Sequence, residues 1–320
     1  LFRSRHLLVS FSGRPYGFVD EALASIGQQR RIVLTALARG RSAVFADTGL
    51  GKTRMQIEWA RLTAARSLII APLSVARQTV REAGKIGADV RYVRHPDQVV
   101  PGTVSITNYE IAGHFDPADF DAVALDESSI LKNFTGATRT ALIDQWRHTP
   151  FRSSWSATPA PNDVTELCNQ AEFLGVMPRN EMLAAYFVHD DDGWRLKGHA
   201  GPAMYDWMAS WAVAARWPSD ITGHADDDEG YKLPPLRIHG HIVDVNQAPE
   251  GQLFATTLGG VGGRAKARKA TITDRLAKVS DLLDHDRPAI AWCGLNEEAD
   301  LVTRAVAGSE NLHGTLDPDR

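Results

Sequence analysis

Short apolar runs alternate with helix-spaced patterns through the first half of the chain. Ala43–Asp47, Ser67–Ala71, Val90–Val93, Thr103–Thr107, Asp121–Asp126 and Ser153–Ala157 read as strands. Glu21–Ala38, Gly51–Ala65, Ser74–Ala83, Ala137–His148 and Val164–Leu174 read as helices. The strand runs are apolar nearly throughout, as in a sheet whose two faces are both buried. Alternation of this kind predicts an α/β fold with a mostly parallel sheet covered on both sides by helices.

From Met177 to Pro235 the pattern changes. Tyr186, Phe187, Trp194, Tyr205, Trp207, Trp211 and Trp217 crowd into a stretch whose loops carry Asp190–Asp192 and Asp226–Glu229. This reads as a helical insert or connector, with the aromatics as core rather than as a base-stacking surface and the acids as solvated loops. A second α/β pattern follows, with Leu236–Val245 and Ala289–Cys293 as strands and Ile272–Leu283 and Glu297–Val306 as helices. The expected organisation is an N-terminal extension (1–19), a first α/β domain (20–176), the insert (177–235) and the start of a second α/β domain (236–320). The second pattern breaks off at Arg320, and the chain opens on Leu1 rather than Met, so the sequence reads as a fragment.

Composition narrows the class. Among 320 residues, 43% are hydrophobic and 23% charged, values of a soluble globular protein. No apolar run approaches the roughly 18 residues of a membrane span, and residues 1–12 are too short and irregular for a secretory signal. Cys168 and Cys293 lie far apart and outside metal-ligand spacing, which favours a reduced, cytoplasmic setting. A net charge of −4 leaves nucleic-acid contact to local basic patches. The glycine-rich and then basic segment Gly259–Lys269 is one such patch, although a flexible turn into a solvated helix accounts for it more simply. His189, His199, His224, His239 and His241 lack the spacing of a zinc site.

The most specific chemistry lies at residues 46–53, Ala46-Asp47-Thr48-Gly49-Leu50-Gly51-Lys52-Thr53, between a predicted strand and a predicted helix. This is the context of a phosphate-binding loop. Glycines permit close approach of backbone amides to a polyphosphate, with the positive end of the following helix behind them. Thr48, Gly49, Leu50, Gly51, Lys52, Thr53 and Arg54 are the candidate nucleotide contacts. Lys52 would reach the terminal phosphates, and the Thr53 hydroxyl would hold Mg2+. Ala46 stands where the general pattern has its first glycine.

A second site is Val123-Ala124-Leu125-Asp126-Glu127-Ser128-Ser129, an apolar strand that ends in two carboxylates. Asp126 suits a Mg2+ ligand, and Glu127 suits a base that orients and deprotonates water. The bland reading is a turn cap. A third site, Ser156-Ala157-Thr158-Pro159, closes another strand with small hydroxyl residues.

In this order and spacing the three sites resemble motifs I, II and III of superfamily 2 helicases. The likeness is to the Swi/Snf-related branch, and within it to phage and prophage DEAD/DEAH-box helicases. Ala71-Pro72-Leu73-Ser74-Val75 with Gln78 resembles motif Ia, and Thr107-Asn108-Tyr109-Glu110 resembles motif Ib. Lys132-Asn133 resembles the Swi/Snf continuation, and Gln29 with Ile32-Val33 the upstream adenine-reading glutamine motif. Ala291-Trp292-Cys293 with Asn296-Glu297-Glu298 resembles motif IV.

The resemblance implies a RecA-like P-loop domain with a mostly parallel sheet, a helical insert, and an incomplete second RecA-like domain. ATP with Mg2+ is the implied cofactor pair, and nucleic acid, with DNA the expected form, the implied partner. Lys52, Asp126 and Glu127 would be catalytic, Gln29 would read adenine, and Pro72, Asn108, Ser156 and Thr158 would couple hydrolysis to nucleic acid. Two departures stand out. Ser129 replaces the histidine of a DEAH box, and motifs V and VI would lie beyond Arg320. The alternative expectation is therefore a fragment that binds ATP and nucleic acid with little turnover. A P-loop kinase or recombinase is the remaining alternative, disfavoured by Gln29 and by Ser156-Ala157-Thr158.

Overall fold

Parallel strands cannot be joined by a tight turn, so each connection between sheet neighbours must travel back along the sheet, commonly as a helix. The chain follows this rule. The computed structural model describes residues 27–132, 137–191, 193–243, 268–285 and 287–312. Seven strands form one sheet: β1 (Arg41–Ala46), β2 (Ser67–Ala71), β3 (Val90–Tyr92), β4 (Val104–Asn108), β5 (Ala122–Asp126), β6 (Phe151–Trp155) and β9 (Ala212–Ala215). Their order is β3-β4-β2-β5-β6-β1-β9, and every pairing is parallel. All the carboxyl ends therefore share one edge.

The two faces are filled by alternate residues of the same strands. Ala43 and Phe45 of β1, Leu68 and Ile70 of β2, and Val123 and Leu125 of β5 join one core. Helices α4 (Ala137–Trp146), α5 (Leu167–Leu174), α6 (Arg179–Tyr186) and α7 (Gly201–Trp211) pack on this core with Leu142, Phe173, Met182 and Met204, joined by loop residues such as Phe115 and Phe120. Val44, Ile69 and Ala124 point to the opposite core with α1 (Gly27–Arg39), α2 (Lys52–Thr63) and α3 (Leu73–Lys85), which contribute Ile32, Val33, Ile57, Trp59 and Ala76. This is the three-layer arrangement expected of strands apolar on both faces. Helix α1 stops where Gly40 takes a left-handed φ of 69° and its amide returns to the carbonyls of Ala36 and Leu37.

The six strands predicted in the first half of the chain all form within two residues of the expected bounds; β1 begins two residues earlier, at Arg41, and β6 runs from Phe151 to Trp155 rather than from Ser153 to Ala157. The stretch from 177, expected to be helical, is not uniformly so. It holds α6, α7 and the short α8 (Ser219–Thr222), together with an antiparallel hairpin of β7 (Phe187–Asp190) and β8 (Gly193–Leu196). Its β9 joins the main sheet, pairing with β1 from Ala43↔Ala212 to Ala46↔Ala215. The hairpin follows from Gly193, whose φ of 108° lets the chain reverse with Asp190 opposite Gly193.

The chain divides into two compact units between Leu233 and Pro234. The described part of the second contains α9 (Ile272–Leu283) and α10 (Asn296–Ala305), held together by Arg275 Nη2 on Glu298 Oε1 at 2.5 Å. The two strands expected there do not form among the described residues. Residues 236–243 and 289–293 run without sheet partners, with Ile242 92% and Trp292 94% exposed. Strand propensity is realised only when a neighbour accepts the backbone hydrogen bonds, and no described segment does so here. Residues 244 and 245 of the first, Asn133, the extension 1–19 and most of Gly259–Lys269 lie outside the described residues. No helix among the described residues is long and apolar enough to cross a membrane.

Trp146 closes the lower core. It is fully buried and meets Phe120 edge-on at 5.9 Å, which in turn meets Phe115 at 6.2 Å. Trp146→Ala is expected to cost about 3–5 kcal/mol in chemical denaturation, the range for emptying a buried aromatic site. A change below about 1 kcal/mol would contradict this account of the core.

Candidate nucleotide site at the strand carboxyl edge

The phosphate loop leaves β1 at Ala46 and enters α2 at Lys52. Gly49 and Gly51 both take left-handed backbone, with φ of 87° and 86°. Gly51 is constrained twice. A Cβ there would fall 2.1 Å from Gln29 Nε2, because the Gln29 amide lies against the loop and donates to the Leu50 carbonyl at 3.0 Å. Gln29 is buried, and its Oε1 is a buried acceptor without a hydrogen-bond partner. The Lys52 ammonium lies within the loop, donating to the carbonyls of Ala46 at 2.9 Å and Asp47 at 3.3 Å. Asp47 extends β1, its amide bonded to Ala215 of β9 at 2.9 Å, while Thr48 is turned outward with its amide on Asp47 Oδ1 at 2.7 Å. Thr53 and Arg54 occupy the first turn of α2, partly exposed.

Two strands away, β5 ends at Asp126, which is 4% exposed. Burial pushes its carboxyl up to about 6, and the charge of Glu127 adds to the rise. The Glu127 amide and the Lys52 charge act in the opposite direction. Glu127 takes a left-handed φ of 48°, a costly conformation for a residue with a side chain. Its amide donates to Asp126 Oδ1 at 3.0 Å, which ties the two carboxylates into one tight corner. The Tyr109 hydroxyl donates to the Asp126 carbonyl at 2.6 Å. That phenol is held well above its ordinary range by burial first, then by the charges of Asp126 and Glu127.

Strand β6 lies between the two. Asp126 is opposite Trp155, and Trp155 opposite Val44, so phosphate loop, carboxylates and Ser156 share three adjacent strand ends. Ser156 is fully buried; its amide bonds the Val44 carbonyl at 3.2 Å, and its hydroxyl accepts from the Thr158 amide at 3.0 Å. Pro72 sits at the end of β2 as the cap of α3. Asn108 ends β4, buried, accepting from the Tyr92 hydroxyl at 2.6 Å and donating to Glu110.

The sequence reading missed the support beneath the Asp126–Glu127 corner. Gln170 Nε2 on α5 donates to the Ser128 carbonyl at 2.9 Å, and Asn169 Nδ2 donates to Leu131 at 2.7 Å. The signal was present: two adjacent amides at the centre of Leu167–Leu174, on a helix whose other residues apart from Glu172 are apolar or Cys, both fully buried. Ser128, not Ser129, is the buried hydroxyl of this turn, and its Oγ has no hydrogen-bond partner. Among the described residues no three His, Cys, Asp or Glu side chains gather as a metal site. Magnesium does not need such a group, since one or two protein oxygens with substrate phosphates and water are its usual ligands. Thr53 and Asp126 fit that role. The orphan Gln29 Oε1, a buried acceptor beside the loop, fits the amine edge of a nucleobase.

No family model matches the sequence, and no curated protein matches it. Solved structures do. The SWI2/SNF2 ATPase core of Sulfolobus solfataricus, solved in complex with double-stranded DNA, aligns with a TM-score of 0.52 at 16% identity, covering 64% of this chain and 46% of that one. The same core domain solved alone gives 0.48 at 17% identity, covering 66% and 47%. The UvsW helicase of bacteriophage T4 gives 0.37 at 15%, covering 47% and 57%. The chain thus spans about half the length of the Sulfolobus core. Its fold is the α/β, RecA-like one of the SWI2/SNF2 ATPase core.

Two predictions test this geometry. Gly51→Ala is expected to lose roughly 1–3 kcal/mol in urea unfolding, and adding Gln29→Ala to recover only part of it. The side-chain clash is relieved in the double variant, but the positive φ remains. Full recovery would show that φ is not limiting. For the metal- and nucleotide-free chain, the raised Asp126 carboxyl sets a pH slope. The native state holds a proton that the unfolded chain has released between about pH 4 and 6, so stability falls as pH rises through that window. Asp126→Asn is expected to flatten the slope, matching the parent below about pH 4 and exceeding it by up to roughly 3 kcal/mol at pH 7. An unchanged slope in the variant would refute the assignment.

Proposed function

We propose that the chain is the ATP-binding core of a nucleic-acid-dependent ATPase, a superfamily 2 helicase or translocase of Swi/Snf-related, phage type that acts on DNA in the cytoplasm. The observation that carries this reading is the convergence of the phosphate loop, Ser156 and the Asp126–Glu127 corner on the adjacent ends of β1, β6 and β5. Such a set can hold a triphosphate, a divalent cation and a water together. Magnesium, when bound, neutralises charge on the phosphates and orients them for attack.

The chain's own groups divide the remaining tasks. Lys52 exchanges the carbonyls of Ala46 and Asp47 for phosphate oxygens, a stronger, charge-assisted pairing. Amides of Thr48 to Lys52 line the phosphates, and Gln29 reads the base. Thr53 and Asp126 hold the cation, which is why a buried carboxyl with a raised affinity for protons is useful: the same desolvation that favours a proton rewards a metal. Glu127 accepts a proton from the attacking water. Ser156 and Thr158, next to the carboxylates, transmit changes at the phosphates to the rest of the edge. Pro72 and Asn108, on β2 and β4 along the same edge, are the positions proposed to meet nucleic acid. The duplex DNA carried by the Sulfolobus core supports DNA as that partner.

Steady-state ATP turnover with and without duplex and single-stranded DNA provides the test. Stimulation by DNA is expected, with Lys52→Ala and Glu127→Gln each lowering turnover at least about 100-fold, the scale for losing a group that acts on transition-state charge. Turnover indifferent to DNA and to Lys52→Ala would overturn the proposal.

A further inference from the structure

At the opposite edge of the sheet, where the strands begin, three arginines gather around one cavity. Arg41 opens β1 and lies opposite Arg152 near the start of β6. Arg147 follows α4. Arg41, Arg147, Arg152, His148 and Gly175 line a cavity of about 440 Å³. It lies roughly 16 Å from the phosphate loop, the length of β1.

Arg152 is the unusual member. It is 3% exposed, yet among the described residues no carboxylate forms a salt bridge with it; its hydrogen-bond partner is a backbone carbonyl. One donor, Nη1, is satisfied by the Phe173 carbonyl at 2.7 Å, at the negative end of α5. Its Nε is buried with no acceptor. The backbone has been cleared to bring the guanidinium in. A Cβ on Gly175 would fall 2.4 Å from Arg152 Nη2 and 3.3 Å from Arg41 Nη1, and Gly175 takes a left-handed φ of 65°. Two guanidiniums thus close on one glycine.

The charges around the cavity do not balance. Burial and the like charges of Arg41 and Arg147 bring the Arg152 guanidinium down to about 10. Glu172 is the carboxylate among the lining residues, and it already accepts from Arg139 at 3.0 Å. Arg147 meets Asp144 at 2.9 Å, an exposed pair with little hold on either partner. Arg41 Nε is taken by the Pro150 carbonyl at 3.0 Å. A buried cation with an orphan donor and two cationic neighbours costs free energy that an anion in the cavity would offset.

We propose that this cavity is an oxyanion-binding site for a phosphate group, separate from the nucleotide site and formed by Arg41, Arg147 and Arg152. Planar guanidiniums are the side chains best matched to phosphate oxygens, each able to donate two parallel hydrogen bonds. The phosphate could arrive as the free ion or as the terminal phosphate of a nucleic-acid strand. None of these residues belongs to the ATPase reading, which can fail without affecting this site.

The test uses the full 320-residue chain carrying Lys52→Ala, so that the phosphate loop is silenced. Calorimetric titration with inorganic phosphate is expected to show saturable binding. Adding Arg41→Gln or Arg147→Gln, both at exposed positions that leave the buried Arg152 in place, is expected to weaken it about tenfold each, the scale of one charge-assisted contact. Competition with a 5′-phosphorylated and an unphosphorylated oligodeoxynucleotide identifies the source. Displacement by the phosphorylated strand alone supports a strand end, and displacement by neither supports the free ion. Absence of saturable phosphate binding in the Lys52→Ala chain, or binding unchanged by Arg41→Gln with Arg147→Gln together, would overturn the proposal.

Discussion

The parallel pairing of β5, β6 and β1 is the constraint on which the rest depends. Parallel ladders align strand directions, so every loop that follows a strand opens at one edge and every loop that precedes a strand at the other. Asp126, Ser156 and the phosphate loop lie 30 or more residues apart in sequence. They become neighbours because their strands are neighbours in register. A slip of one residue in β6 would exchange the residues it gives to the two cores and disrupt both.

That register imposes costs at the carboxyl edge which packing elsewhere offsets. Asp126 and Ser156 are buried, Glu127 is held in a left-handed conformation, and Gln29 and Ser128 keep orphan polar atoms. Each is unfavourable alone. They persist because the surrounding residues leave little alternative: Tyr109 fixes the Asp126 carbonyl, Gln170 the Ser128 carbonyl, and Gln29 the Leu50 carbonyl. Unfavourable local features gathered at one edge are what a site prepared for a charged ligand looks like. The other edge shows the converse sign, with Arg41 and Arg152 paired across adjacent strands.

Legibility in the sequence was uneven for physical reasons. β1, β2 and β5 announced themselves because burial on both faces demands nearly continuous apolar runs, whereas β6, Phe151–Trp155 with Arg152, Ser153 and Ser154 at its centre, was placed two residues late. The phosphate loop was legible for a similar reason: glycines at left-handed positions leave few alternatives. Ala212–Ala215 was not, since four small residues after an aromatic helix carry no strand signature and β9 exists only because β1 has a free side. The β7–β8 hairpin was hidden by aromatic density, which serves helix and strand packing equally. Leu236–Ile242 and Ala289–Cys293 failed in the opposite sense. They carry strand character, and no described segment pairs with them.

What the sequence determined by itself was the class of sheet, the loop that can cradle phosphate, and the carboxylate pair at a strand end. All three depend on local chemistry: which residues bury, which backbone angles a residue permits, and which side chains carry charge. The tertiary structure alone decided strand order, and with it which strand ends meet. It also set the burial that raises the affinity of Asp126 for protons, and the convergence of Arg41 on Arg152. Those properties arise from contacts between residues far apart in the chain, whose distances no local pattern encodes.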